Sequence, residues 1–246
     1  MFKRASLVAL LALGVAGIVG DRSIAQDSAA TPTPDAQGFV EMFNGKDLTG
    51  WHGLEGFWSA KDGMIVGSET KQTSKQTFLV YTAMPSVADF EMRYKYKFAS
   101  SDGNSGVQFR SKMLIPQNMR AGGYQADCDG KGHYDGSIYD EAGVAGNRGT
   151  MSNRGEKTVW DADNKRHNEP LPDGKQLGKF VHVGDWNDVV LHVEGNHVTY
   201  TINGHLMTDL TDESPKALHT GLIALQIHQG FTMEIQFKDL KIKVLK

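Results

Sequence analysis

The chain has 246 residues, 22% of them charged and 39% apolar, with a formal net charge of −3. That mild acidity excludes the basic surface a nucleic-acid partner favours, and the length is enough to bury a sizeable core. The single cysteine, Cys128, excludes an internal disulfide and is expected to be a buried structural thiol.

Lys3 and Arg4 precede an uncharged run from Leu7 to Val19, and Ser23-Ile24-Ala25 supplies the small residues of a signal-peptidase site. The run is shorter than the roughly 20 residues that span a bilayer. Residues 1–25 are therefore expected to be a cleaved signal peptide. The mature chain is then exported, to the periplasm or the cell exterior, with no transmembrane segment. Residues 26–38 have no apolar period and read as a flexible leader. Residues 39–246 read as one domain.

From there the apolar pattern has period two. Met92, Tyr94, Tyr96 and Phe98 alternate with Glu91, Arg93, Lys95 and Lys97, as in a strand with one buried and one solvated face. Val189-Leu191-Val193, Val198-Tyr200-Ile202 and Met233-Ile235-Phe237 repeat the pattern. The phase shifts to Leu240, Ile242 and Val244, which predicts a bulge at Lys238-Asp239. Asp62-Gly63, Gly195-Asn196 and Asn203-Gly204 are compact hairpin turns. No long segment carries a 3.6-residue stripe. Many short strands at regular spacing predict an all-β sandwich or jelly roll of two antiparallel sheets. Gly143 to Lys179 lacks alternation and reads as one long irregular loop, of the kind that is functional or disordered.

Four polar pairs stand two residues apart: Gln108 with Arg110, Gln125 with Asp127, Tyr139 with Glu141, and Gln226 with His228. On strands, such pairs share a face. The plain reading of any one pair is solvated decoration. Against it stands composition, because the solvated face of 91–97 uses long, freely charged side chains. The four pairs use Gln, Asp, Tyr, Glu and His, donors and acceptors suited to fixed geometry. Together they predict a polar groove for hydroxyl-rich ligands.

Other signals are weaker. The nine His include no His-Glu-x-x-His, so no zinc site is marked. Asp127, Asp129, Asp135, Asp140 and Glu141 crowd one stretch, either as a solvated acidic loop or as oxygen ligands for a cation such as Ca²⁺. No Gly-x-Ser-x-Gly elbow is present. Trp160 either stacks on a sugar ring or pins the irregular loop.

The ordered motifs resemble those of the 3-keto-disaccharide hydrolase family. They are Phe43-Asn44-Gly45-Lys46-Asp47-Leu48-Thr49-Gly50-Trp51, Asp89-Phe90-Glu91, and Gly103-Asn104-Ser105-Gly106-Val107-Gln108-Phe109-Arg110. Gly123-Tyr124-Gln125-Ala126-Asp127, Gly136-Ser137-Ile138-Tyr139-Asp140-Glu141, Trp186-Asn187 and Gly221-Leu222-Ile223-Ala224-Leu225-Gln226-Ile227-His228 follow. The resemblance runs from about Phe39 to Lys246. It implies a concanavalin A-like jelly roll and a substrate that is an oxidised sugar or glycoside.

A ketone at C3 acidifies the hydrogen on C2, so a base can start a β-elimination that expels the C1 substituent, with water addition to follow. The expected base is Asp127 or His228, Arg110 would stabilise the enolate, and Glu141 or Tyr139 would stand near the leaving group. Asn104, Gln108, Gln125 and Gln226 would orient hydroxyls. No cofactor is required by the pattern. A divalent ion, Ca²⁺ or a transition metal, on Asp127, Glu141 or His228 is the alternative electrophile. The competing reading is a non-catalytic, lectin-like binding module. Nothing in the sequence sets an oligomeric state.

Overall fold

A computed structural model describes residues 33–70 and 76–245. The signal peptide expected over 1–25, and the leader as far as residue 32, lie outside the described residues. No helix among the described residues is long and apolar enough to cross a membrane.

The strands follow in chain order. β1 (Val40–Glu41), β2 (Trp51–His52), β3 (Trp58–Lys61), β4 (Met64–Glu69), β5 (Thr77–Tyr81) and β6 (Phe90–Phe98) come first. β7 (Asn104–Ile115) and β8 (Arg120–Asp129) form a long hairpin. β9 (Ile138–Glu141), β10 (Thr150–Ser152), β11 (Glu156–Trp160) and β12 (Arg166–Pro170) lead to β13 (Asn187–Glu194), β14 (His197–Ile202) and β15 (His205–Asp212). β16 (Leu222–Ile227) and β17 (Met233–Val244) complete the set.

They form two sheets. One has ten strands in the order β12-β11-β15-β14-β13-β6-β17-β4-β3, with β1 paired to β17. The other has seven, in the order β10-β9-β8-β7-β16-β5-β2. Pairing is antiparallel apart from β11 with β15. The architecture is the all-β jelly-roll sandwich that the alternation predicts.

The inward residues of both sheets form one core. Met92, Tyr94, Tyr96 and Leu191 meet Phe109, Tyr124, Ala126, Leu225 and Ile227 there. Each large side chain so buried contributes roughly 1.5–3 kcal/mol. Cys128 is buried in the same cluster and free. The bulge on β17 lies where the phase shift puts it. Its register with β6 slips between Lys238 and Lys241, and Asp239 takes a left-handed φ of 53°. Asp62-Gly63 and Asn203-Gly204 both have positive φ, as tight hairpin turns require.

Gly143 to Lys179 is a correction. It contains β10, β11, β12 and a 3-10 segment over Gly174–Phe180. Its strands are short, and β12 is an exposed edge with no inward residue, so no apolar alternation marks it. Trp160 is pinned rather than presented. Its ring is buried beneath the Arg148 guanidinium at 4.4 Å, and its indole N–H donates to the Met151 carbonyl at 3.0 Å.

Candidate active site

The site is built on the outer face of the seven-stranded sheet, across β9, β8, β7 and β16. Register sets Gln108 of β7 opposite Gln125 of β8, and Gln125 opposite Tyr139 of β9. Alternation carries Asp127, Glu141 and Gln226 to the same face. These polar side chains are buried: Gln108 and Gln226 are 0% exposed, Gln125 2%, Glu141 6% and Asp127 7%.

Buried polar groups need partners, and here they find one another. Ser111 Oγ donates to Gln108 Oε1 at 2.7 Å, Gln108 Nε2 donates to Gln125 Oε1, and Gln125 Nε2 donates to Asp127 Oδ1 at 3.1 Å. The backbone N–H of Cys128 also donates to Asp127 Oδ1 at 3.1 Å, and Asn104 Nδ2 approaches it at 3.5 Å. Gly106 leaves room for this arrangement, because a Cβ there would lie 2.7 Å from Gln125 Cγ. Gln226 Nε2 donates to Glu141 Oε2 at 3.3 Å. Those two strands are separated by β7 and β8, so the sheet must curl toward this face for the side chains to meet.

The β7–β8 hairpin supplies a wall. Its end bends over the sheet, and the Met119 carbonyl accepts the Phe78 N–H at 3.1 Å. Phe78, Val80, Met119, Ala121, Leu222 and Ala224 form a second, smaller apolar cluster beneath that bend. The bend turns Arg120 toward Glu141, with 3.7 Å between guanidinium and carboxylate. Beside the wall opens a cleft of about 610 Å³. Asn104, Gln125, Asp127, Tyr139, Glu141 and His228 line it, with Arg120 and Gln76, and with Tyr134 and Phe231 adding aromatic rings.

Burial pushes the Asp127 carboxyl well above the usual carboxylate range. The Gln125 hydrogen bond and the Cys128 N–H oppose that rise, and Asp135 and Asp129 add to it. Burial also raises the Tyr139 phenol, helped by the charges of Glu141, Asp127 and Asp140, so it keeps its proton. His228 Nδ1 lies 2.8 Å from the Gln229 carbonyl, an acceptor, so Nδ1 carries a proton in this contact and Nε2 faces away from it. Two carboxyls, two phenols, one imidazole and one guanidinium thus share a cleft with several amides. Such a set can move a proton and stabilise a developing anion.

Of the residues expected at a site, Asn104, Gln125, Asp127, Tyr139, Glu141 and His228 line the cleft, while Gln108 and Gln226 lie buried under it. Trp160 lies in the core instead of the groove. Arg110 is the main correction. Arg110 and Ser111 together oppose the single Gly123, in a bulge that gives Arg110 a left-handed φ of 46°. The bulge breaks the two-residue count and turns the guanidinium away. It binds Asp89 Oδ1 at 2.7 Å and the carbonyls of Ala88, Gly195 and Leu218, tying the two sheets together.

The acidic stretch is not a solvated loop. Asp129, Asp135 and Asp140 are buried and accept backbone N–H groups. Among the described residues, no three His, Cys, Asp or Glu side chains are grouped to hold a metal ion. Sequence reasoning missed Arg120, Gln76, Ser111, Tyr134 and Phe231. Counting in twos from Asp127 puts Arg120 on the opposite face, and only the bend of the hairpin brings it back.

A family model described as a 3-keto-alpha-glucoside-1,2-lyase-like domain matches residues 38–243. No curated protein matches the chain. Among solved structures, a provisionally assigned glycosyl hydrolase from Parabacteroides distasonis is 19% identical with a TM-score of 0.54, covering 86% of this chain and 95% of that one. The carbohydrate-binding module CBM66 from Bacillus subtilis is 16% identical with a TM-score of 0.52, covering 80% and 98%. At these identities the likeness is one of fold.

Proposed function

The chain belongs to the 3-keto-alpha-glucoside-1,2-lyase-like family, and from that premise we propose that it cleaves the glycosidic bond of 3-keto-glycosides in the cleft above β7, β8 and β9. The observation that carries the reading is the meeting of Asp127, Tyr139, Glu141 and Arg120 around one cleft inside the matched region.

Asp127 takes the proton from C2 of the sugar. Its Oδ1 is held by N–H donors, and its Oδ2 accepts no hydrogen bond among the described residues. A carboxyl raised above its usual range is a stronger base than an ordinary one. The electron pair left on C2 delocalises onto the C3 oxygen. Arg120 stabilises that enolate oxygen in the role first expected of Arg110. The enolate collapses, the C1–O bond breaks, and the Tyr139 phenol gives its proton to the departing oxygen. Water then adds to C1 of the unsaturated ketone, losing its proton to the Tyr139 phenolate while Asp127 returns its proton to C2, so both groups are restored and the sum is hydrolysis. His228 and Asn104 orient hydroxyls from the cleft, and Gln125 positions the base. Glu141 holds Arg120 in place. The reading includes export of the mature chain, with cleavage after Ala25; a secreted product whose first residue is Gln26 is the expected result of N-terminal sequencing.

The test is turnover. Purified protein is incubated with a 3-keto-disaccharide and with its unoxidised parent, each with and without a chelator. Release of monosaccharide from the keto substrate alone is expected. Tight binding of either sugar with no product overturns the enzymatic reading in favour of a lectin-like module, and the chelator arm reads any divalent-ion requirement.

A further inference from the structure

Ser111 lies outside the cleft, 3% exposed, in the bulge that displaces Arg110. It is packed tightly enough that a Cβ on Gly123 would collide with its hydroxyl and a Cβ on Gly221 with its carbonyl. Its hydroxyl starts the chain of hydrogen bonds that ends on Asp127 Oδ1, through Gln108 and Gln125. Neither glutamine has a buried polar atom without a partner, whereas Gln226 leaves its Oε1 unpaired.

A side-chain amide has a donor at one end and an acceptor at the other, so two amides in series have only two consistent polarities. In one, both N–H groups point toward Asp127. In the other, both point away and set a lone pair of Gln125 against the carboxylate. The first polarity needs a hydrogen-bond donor at the far end, facing Gln108 Oε1. The hydroxyl of Ser111 is that donor at 2.7 Å. It has one proton and two further acceptors in reach, the carbonyls of Phe109 at 3.0 Å and Tyr124 at 3.4 Å. Its pairing with Gln108 is thus a choice among three, made by the shortest.

We propose that Ser111 is a positioning residue for the Asp127 base, setting the polarity of the Gln108–Gln125 relay so that Oδ1 stays fixed and Oδ2 meets the substrate. The proposal rests on the reading of Asp127 as the base. Removing the hydroxyl leaves a buried amide oxygen unpaired and frees both amides to turn. Binding depends on the cleft walls, which Ser111 does not touch, so the loss falls on the chemical step.

Two measurements test this. In steady-state assays with a 3-keto-disaccharide, Ser111→Ala is expected to lower kcat about tenfold, the order that one unpaired buried polar atom costs, with KM within about twofold. Ser111→Cys, which keeps a weak donor, recovers part of the loss. Independently of any substrate, hydrogen exchange at the ¹⁵N-labelled side-chain amides of Gln108 and Gln125 is expected to be slow in the wild type. It is expected to be at least tenfold faster in Ser111→Ala, with the backbone amides of β7 and β8 still protected. Gln108→Met, which keeps the packing, is expected to give the same kcat loss. Wild-type kcat in a folded Ser111→Ala protein, or unchanged exchange at both glutamines, overturns the proposal. A wild type with no turnover sinks the enzymatic reading, while the exchange arm still reports on the relay.

Discussion

The two sheets of this sandwich alternate in the same way but treat their outer faces differently. On the ten-stranded sheet, Arg93 and Lys95 keep side-chain exposures of 43% and 36%, and their ion pairs with Glu91, Asp188 and Asp239 sit in solvent. On the seven-stranded sheet, Gln108, Gln125, Asp127, Glu141 and Gln226 occupy the equivalent positions and are buried. Buried polar groups are costly unless paired. The second face carries that cost in a small, directional network of amides and carboxylates. Period two tells which face a residue joins; whether that face is solvent or site is told by the kind of polar group, fixed-geometry amides and short acids against long mobile charges.

The largest effect that sets the faces apart is expected at Asp127. Asp127→Asn keeps shape and hydrogen-bonding capacity but removes the base, and is expected to lower kcat on a 3-keto-disaccharide by about 10²–10⁴-fold. Lys97→Ala, on the other face, leaves kcat unchanged. Initial-rate assays of both variants check this, and a near-wild-type Asp127→Asn removes the base from the scheme. Ionisation of a carboxyl held above its usual range makes kcat/KM rise with pH through that group's titration, a rise absent from the Asn variant.

The two arginines of the β7–β8 hairpin come next, and they carry the lesson about what the sequence makes legible. The alternation of 91–98, the turns at Asp62-Gly63 and Asn203-Gly204, and the phase shift at Lys238-Asp239 all report local backbone geometry, and each is readable in a handful of residues. The cleft set is readable where alternation runs unbroken, at Gln125-Asp127 and Tyr139-Glu141. It fails at Arg110, because a bulge is a property of two paired strands and only one strand is seen at a time. It fails at Arg120 because a hairpin bending over its own sheet is a tertiary event, fixed by Met119 against Phe78. The consequence is testable. Arg120→Met is expected to lower kcat about 10²-fold with little change in melting temperature. Arg110→Met is expected to leave Asp89 with the Gly195 N–H alone and to take the donor from the Ala88, Gly195 and Leu218 carbonyls, at a cost of about 3–5 kcal/mol of stability. Denaturant titration beside kinetics separates them, and reversed outcomes would restore Arg110 to the site.

A smaller effect, of a few kcal/mol, is expected from Asp135, buried behind β8 between the two sheets. Its carboxyl accepts hydrogen bonds from Tyr96 and from the Asp129 N–H, yet burial outweighs both and pushes it up to about 7. In the unfolded chain an aspartate titrates near 4. Between about pH 4 and pH 7 the folded protein therefore holds a proton that the unfolded chain has released. The stability this group contributes is full below pH 4, declines as pH rises, and is gone above about pH 7. Asp135→Asn has no such proton to lose. The difference in unfolding free energy between wild type and variant is expected to shrink by a few kcal/mol from pH 4 to pH 8. A difference constant with pH would place the carboxyl in its ordinary range.

The smallest effect belongs to the solvated face, and its smallness is the point. Lys95 lies within 3.3 Å of Asp188 and 3.5 Å of Asp239, and these partners hold its ammonium above its usual range. Its side chain also stands directly across from Lys238, where a like charge opposes it. Attraction and repulsion both act through solvent, where exposed pairs contribute about 0–1 kcal/mol. Lys95→Ala is accordingly expected to change stability by no more than about 0.5 kcal/mol, and 0.5 M salt to erase most of that. Gln125→Ala, also a single polar truncation on an outer face, is expected to cost about 1–3 kcal/mol that salt does not recover, because it strands Gln108 and Asp127 in a buried network. Thermal unfolding of the two variants at low and high ionic strength measures the contrast. Equal losses with equal salt dependence would mean that the seven-stranded face is hydrated like its counterpart, and that its amides and acids are surface decoration.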